Sequence, residues 1–212
     1  MDLAQRISAA LRRVPPWGIY VVGFVPALLY LYWALTGQFG ADPVKALEHA
    51  LGLDALRFFI ASLMITPLMR YMRVNLTCFR RALGLMAFYY ICLHFAVYAL
   101  LDLQLNWSAL ARDLTKRPYI IVGTLSLVIL IPVALSSNDL AIRKLGAATW
   151  CKLHKLVYPA AVLAMIHYLW QAKAVSGEIA IYGGVICALM MMRVHFWWTR
   201  RKRSMVASVL GS

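Results

Sequence analysis

Six apolar runs, separated by short clusters of charge, set the pattern of this chain. They cover residues 17–36, 53–69, 82–101, 118–136, 150–171 and 178–198. Each comes near the roughly 20 residues that a helix needs to cross about 30 Å of hydrocarbon. Within them charges do not recur at helical intervals, as they would on a helix with one face in water. The pattern predicts an all-α polytopic bundle of six transmembrane helices. The second run is the least apolar, containing Arg57 and interrupted by Thr66-Pro67. Proline is tolerated in a membrane helix when neighbours satisfy the carbonyl it frees. The run is therefore read as a span, with a re-entrant segment as the alternative.

Composition agrees. Of 212 residues, 63% are hydrophobic and 14% charged, with a mean hydropathy of +0.71; a soluble domain of this size cannot hide so much apolar surface. The net charge of +14 raises the question of nucleic acid, but the cations lie in short connections rather than over a folded face, so no nucleic-acid partner is expected. Their distribution orients the bundle instead. Fifteen fall on one side: Arg6, Arg12, Arg13, Arg70, Arg73, Arg80, Arg81, Arg143, Lys144, Lys152, Lys155, Arg200, Arg201, Lys202 and Arg203. Five fall on the other: Lys45, Arg112, Lys116, Arg117 and Lys173. The positive-inside rule then predicts both termini in the cytoplasm. The basic N-terminus runs into the first apolar stretch without a small-residue cleavage site, which predicts an uncut helix. A single domain over residues 1–212 is expected, with cytoplasmic tails at 1–16 and 200–212.

Histidines carry the candidate chemistry, because an ionisable group inside a membrane is costly and marks function by default. His94 stands 13 residues beyond Arg81, about 20 Å of helical rise, and His167 stands 15 beyond Lys152, about 22 Å. Both runs travel from inside to outside, so the two imidazoles reach one depth in the outer half of the bilayer. Two imidazoles from separate helices are what bis-histidine haem ligation requires. His154 lies near the cytoplasmic edge, about 20 Å from His167, and serves a second, inner haem if there is one. About 140° of rotation separates His154 from His167 on an ideal helix, so a common face needs local distortion. The bland alternative is that these histidines only hydrogen-bond neighbouring helices. His49 is expected in a solvated outer loop and His195 at the inner interface. Lys116-Arg117-Pro118 and Arg57 are candidates for haem propionates, or interfacial anchors. Tyr98, Tyr119, Tyr158 and Tyr168 are among the aromatics that could flank a porphyrin. No CxxCH is present, so a haem is held by axial ligands alone. No dinucleotide or phosphate-loop motif is present either, so electrons must come from a separate donor.

Five segments carry a family resemblance: GADPVKALEHALG at 40–52, ITPLMR at 65–70, RRALGLMAFYYICLHFAVYALLD at 80–102, KRPYIIVG at 116–123, and KLGAATWCKLHKLVYPAAVLAMIHYLW at 144–170. As a set the chain resembles the MsrQ family (formerly YedZ), within the ferric-reductase-like transmembrane proteins. That resemblance implies a bacterial inner-membrane subunit holding one or two haems b through His94, His154 and His167. It implies electrons from quinol or a cytosolic flavin reductase, delivered to the periplasmic molybdopterin subunit MsrP, which reduces methionine sulfoxide. FMN is attributed to the family too, although no residue here identifies a flavin site. The expected docking surface lies on the outer loops around 37–52, 102–117 and 172–178. A stand-alone ferric or quinone reductase is the nearest alternative, and a small transporter or assembly scaffold a more distant one.

Overall fold

The computed structural model describes residues 8–11, 13–172 and 176–210, with side chains described as far as Thr199. Arg6, Arg12 and Lys173 of the charge count, and the side chains of 200–203, lie outside the described set. Among the described residues the structure is helical, with no strand. Helix α1 is Trp17–Leu35 and α2 is Pro43–Tyr71. A 3-10 turn at Thr77–Phe79 leads into α3, Arg80–Val97, which passes into a π-helical turn at Tyr98–Asp102. Then come α4 (Trp107–Lys116), α5 (Pro118–Leu135), α6 (Asp139–Leu145) and α7 (Ala147–Leu153). A 3-10 turn at His154–Leu156 precedes α8 (Val157–Gln171), and α9 is Gly177–Leu210.

Five described helical segments are long and apolar enough to cross a membrane: Trp17–Leu35, Pro43–Tyr71, Thr77–Asp102, Pro118–Leu135 and Gly177–Thr199. The remaining apolar run comes in two pieces. Pro159 fixes the break, because proline lacks an N–H and its ring clashes with the carbonyl four residues back, so it fits only a first turn. The 3-10 turn at His154–Leu156 lies between the two pieces. At the other end of the chain, the last helix continues to Leu210, through most of the expected tail.

One boundary is corrected. The second helix begins at Pro43 rather than near residue 53, which makes much of the expected outer loop helical. Asp42 accepts a bond from Lys45 N at 3.1 Å and Pro43 takes the first helical position, a strong start signal. Charges in this stretch lower its hydropathy without weakening the helix. His49 therefore sits on α2, exposed, rather than in a loop.

The closest pairings are α2 with α3 and α5 with α8. One core cluster joins α2, α3, α5, α8 and α9 around Phe59, Leu63, Ala160 and Met165. A second joins α1, α2 and α3 around Ala27, Leu51, Met86 and Tyr90. Large apolar side chains also face outward, Val22 and Leu135 each 72% exposed; lipid is the environment that covers such a surface. Lipid tails are as apolar as leucine, so close packing and interhelical hydrogen bonds hold helices together there. Tyr90 Oη donates to Gly23 O at 2.7 Å, Ser126 Oγ to Ala160 O at 2.9 Å, and Tyr30 Oη to Asp54 Oδ2 at 2.9 Å.

Candidate functional site

Between the two helix pairs lies a cavity of about 360 Å³. Leu56, Phe59, Ile91, Ile120 and Leu127 give it apolar walls, and Lys45, Glu48, Arg117 and Gln171 line it where α2 and α5 begin and α8 ends. A concave, mostly apolar site with a few convergent polar groups has the form of a cofactor pocket.

His94 of α3 and His167 of α8 meet across this cavity with ring centres 6.1 Å apart and ring planes at 78°. Each ring is held by a backbone carbonyl of a neighbouring helix. His94 Nδ1 donates to Glu48 O at 2.9 Å, and His167 Nδ1 donates to Tyr119 O at 2.7 Å. A carbonyl only accepts, so both protons sit on Nδ1 and both Nε2 atoms keep their lone pairs. Among the described residues neither Nε2 has a hydrogen-bond partner. A ligating imidazole nitrogen stands about 2 Å from its metal, so two axial rings have centres roughly 6 Å apart, as found. The pair fits one haem iron.

The cavity rim is built with equal care. Tyr98, one turn past His94, reaches the cavity from the π-turn; such turns often mark functional sites. Its hydroxyl donates to Asp113 Oδ2 at 2.6 Å, and Asp113 pairs with Arg117 at 3.1 Å. Arg117 also donates to Tyr119 Oη at 3.5 Å, and its pKa is pushed up by that bond and then by the Asp113 carboxylate. Lys45 is held by Asp102 at 2.5 Å and Glu48 at 3.4 Å. Two fixed cations therefore stand at the opening.

The other expected residues divide. Arg57 does not line the cavity: it donates to Asp54 at 2.9 Å, Tyr182 Oη at 2.8 Å and Glu178 at 3.3 Å, tying α2 to α9. Lys116 does not line it either, whereas Tyr98, Tyr119 and Tyr168 do. His154 is not brought to the other two histidines. It lies on the 3-10 turn, stacked on Trp150 with ring centres 3.7 Å apart; Nδ1 donates to Trp150 O at 3.1 Å and Nε2 stands 3.3 Å from Ser137 Oγ. His195 is exposed on α9. Sequence reasoning missed the two carbonyls, and it missed Gly52 and Gly123, whose backbones the two rings lie against.

Fold and site together describe a polytopic helical membrane protein whose helices bring two histidines together across one cavity. Comparison with known families adds the rest. Residues 50–165 match the ferric reductase like transmembrane component. The chain is 48% identical over 187 residues to the protein-methionine-sulfoxide reductase heme-binding subunit MsrQ of Brucella ovis, covering 88% of this chain and 84% of that protein. The Brucella anthropi protein of that name is 49% identical over 178 residues, covering 84% and 80%. The chain therefore belongs to the ferric-reductase-like transmembrane family, on its MsrQ branch.

Proposed function

We propose that this chain is a haem b electron-transfer subunit of the bacterial inner membrane, taking electrons from quinol or a cytosolic flavin reductase and passing them to a periplasmic molybdopterin methionine sulfoxide reductase, MsrP. The observation that carries the reading is the His94–His167 pair, with both Nδ1 atoms bound to backbone and both Nε2 atoms free across one cavity. When bound, haem supplies reversible one-electron chemistry.

The chain's own part is to bind, orient and insulate. His94 and His167 would hold the haem iron through their Nε2 atoms; the Glu48 and Tyr119 carbonyls fix their tautomers. Leu56, Phe59 and Leu127 keep water from the walls, and Lys45 and Arg117 would meet the haem's propionate carboxylates. By the charge asymmetry of the connections, the rim faces the periplasm and both termini face the cytoplasm. MsrP then docks near the rim, over the turns at 37–42 and the segment 102–117. His154, at the opposite end of the same apolar run, would hold a second, inner haem where the chain carries two. The relatives' shared name supports the haem and the methionine sulfoxide reductase connection; the pocket supports the ligands.

Redox coupling to the partner tests this reading. Purified protein reduced by a quinol should show a b-type spectrum, fully reoxidised by a trace of MsrP with methionine sulfoxide in excess but not by methionine sulfoxide alone. Reoxidation by a ferric chelate and not by MsrP would favour a stand-alone ferric reductase. A colourless protein from haem-replete cells would leave only the transporter or scaffold reading.

A further inference from the structure

Both cavity histidines rest on the same backbone arrangement, built twice from unrelated sequence. In a helix the Cα–Cβ bond tilts toward the N-terminus, so the side chain of residue i+4 leans over the carbonyl of residue i. On α2 these two positions are Gly52 and Glu48; on α5 they are Gly123 and Tyr119. Glycine leaves each carbonyl open from the side, and those two carbonyls take the imidazole N–H bonds at 2.9 and 2.7 Å. A carbonyl oxygen has two lone pairs, so it serves the helix and the ring together.

Space is tight at both places. A Cβ on Gly52 would stand 3.0 Å from His94 Nδ1 and 3.2 Å from its Cε1. On Gly123 it would stand 2.6 Å from His167 Nδ1, 2.9 Å from Cε1 and 3.0 Å from Cγ. Gly23 and Gly183 would bring a Cβ against the flexible ends of Met86 and Met165, at 2.8 and 3.3 Å, whereas a Cβ on Gly84 of α3 would meet only Ser62 Oγ at 4.0 Å, and one on Gly184 nothing within 4 Å.

We infer that Gly52 and Gly123 are positioning residues of the haem site. With the Glu48 and Tyr119 carbonyls they fix the rotation of the two imidazole planes and the strength of the Nδ1–H bonds, and so tune the metal that the rings ligate. The inference rests on the ligand assignment proposed above. A hydrogen bond to the far nitrogen raises the basicity of a ligating histidine, and a more basic ligand favours ferric over ferrous iron. Crowding the ring off its carbonyl therefore raises the midpoint potential. It also turns the ring away from the present 78° between planes, which alters the electron paramagnetic resonance of the ferric form. The effect is ordered: Gly123→Ala exceeds Gly52→Ala, because 2.6 Å admits no Cβ whereas 3.0 Å asks the ring to give by a few tenths of an ångström.

The test uses the full chain purified with haem, comparing wild type with Gly52→Ala, Gly123→Ala and Gly84→Ala. Haem content, the low-field resonance of the oxidised form and the midpoint potential are read for each. Gly84→Ala should match wild type in all three. Gly52→Ala should keep its haem and show a shifted resonance with a higher potential. Gly123→Ala should move further, with the reduction equilibrium displaced about tenfold toward ferrous, or about 59 mV for one electron. Should Gly123→Ala fail to fold, the Gly52→Ala shift decides alone. Wild-type resonance and potential in every folded glycine variant would overturn the inference while leaving the ligands standing. Full haem with an unchanged spectrum in either His94→Ala or His167→Ala would overturn the ligand assignment itself, whatever the glycines do.

Discussion

Arg193 shows how the bundle manages a proline inside a membrane helix. Pro67 has no N–H, so the carbonyl of Leu63 one turn back in α2 loses its helical partner. Arg193 of α9 supplies one: its Nη2 donates to Leu63 O at 2.8 Å, and its guanidinium lies 5.4 Å from the Tyr158 ring centre. Arg193→Met removes both contacts. Orphaning the carbonyl costs between about 0.6 kcal/mol, the mean for interhelical bonds in a bilayer protein, and about 3 kcal/mol for a fully unsatisfied group. Losing the ring contact adds about 0.5–1 kcal/mol. Against this, taking an arginine out of hydrocarbon returns about 2.5–3.5 kcal/mol on insertion scales. Arg193 Nε is also buried with no partner among the described residues. The single change is close to balanced, and its sign decides nothing.

A double-mutant cycle does decide. Pro67→Ala restores the N–H that Leu63 O lacks, so Arg193→Met should cost less in that background, by about 1 kcal/mol. Equilibrium unfolding of the purified protein in mixed detergent micelles measures all four corners. Costs additive to within about 0.3–0.5 kcal/mol, the scatter of independent sites, would refute the clamp.

Other expectations follow from single contacts. Gly146, between α6 and α7, sits at φ 75° and ψ 150°, a region open essentially to glycine alone. Gly146→Ala should therefore cost about 1–3 kcal/mol in thermal unfolding. Tyr30→Phe removes the hydroxyl bonded to buried Asp54 while keeping the ring, and should lower stability by about 1 kcal/mol in the same assay. Asp139, outside the spans, stands 2.6 Å from Arg81 near the start of α3, and this contact holds its carboxyl below the usual range. A depressed folded pKa contributes stability above the unfolded value of about 3.9 and loses it as pH falls through the folded value. Asp139→Asn should remove that slope from the acid limb of a stability–pH curve, its curve lying slightly below wild type near neutral pH and meeting it in acid, the gap small because the pair is exposed.

The chain's own pattern announces much of the bundle. The first and fourth spans were expected at 17–36 and 118–136 and form at Trp17–Leu35 and Pro118–Leu135, because uninterrupted apolar runs leave little choice. The second span was foreshortened: hydropathy sees Lys45, Glu48 and His49 as a loop, whereas the Asp42-Pro43 start and the cavity draw those residues into α2. The histidine pair was legible because depth along parallel helices needs only counting from Arg81 and Lys152. What holds the pair was not, since a backbone carbonyl carries no residue-specific signal and its donor comes from another helix. The two segments GADPVKALEHALG and KRPYIIVG nonetheless end on Gly52 and Gly123. A glycine closing a helical turn was the available clue, readable only once the helices are paired. Arg57 illustrates the opposite error. Its charge on the outer side suggests a propionate partner, but Asp54, three residues before it, and the α9 residues Glu178 and Tyr182 already claim its donors.

Whether imidazoles from α3 and α8 clamp one iron is best settled by haem quantification and reduced-minus-oxidised spectra on wild type, His94→Ala and His167→Ala, each purified from haem-replete cells. The account predicts a b-type spectrum in wild type and strong loss of haem in both variants. Haem retained at the wild-type level with an unchanged spectrum in either variant would contradict it.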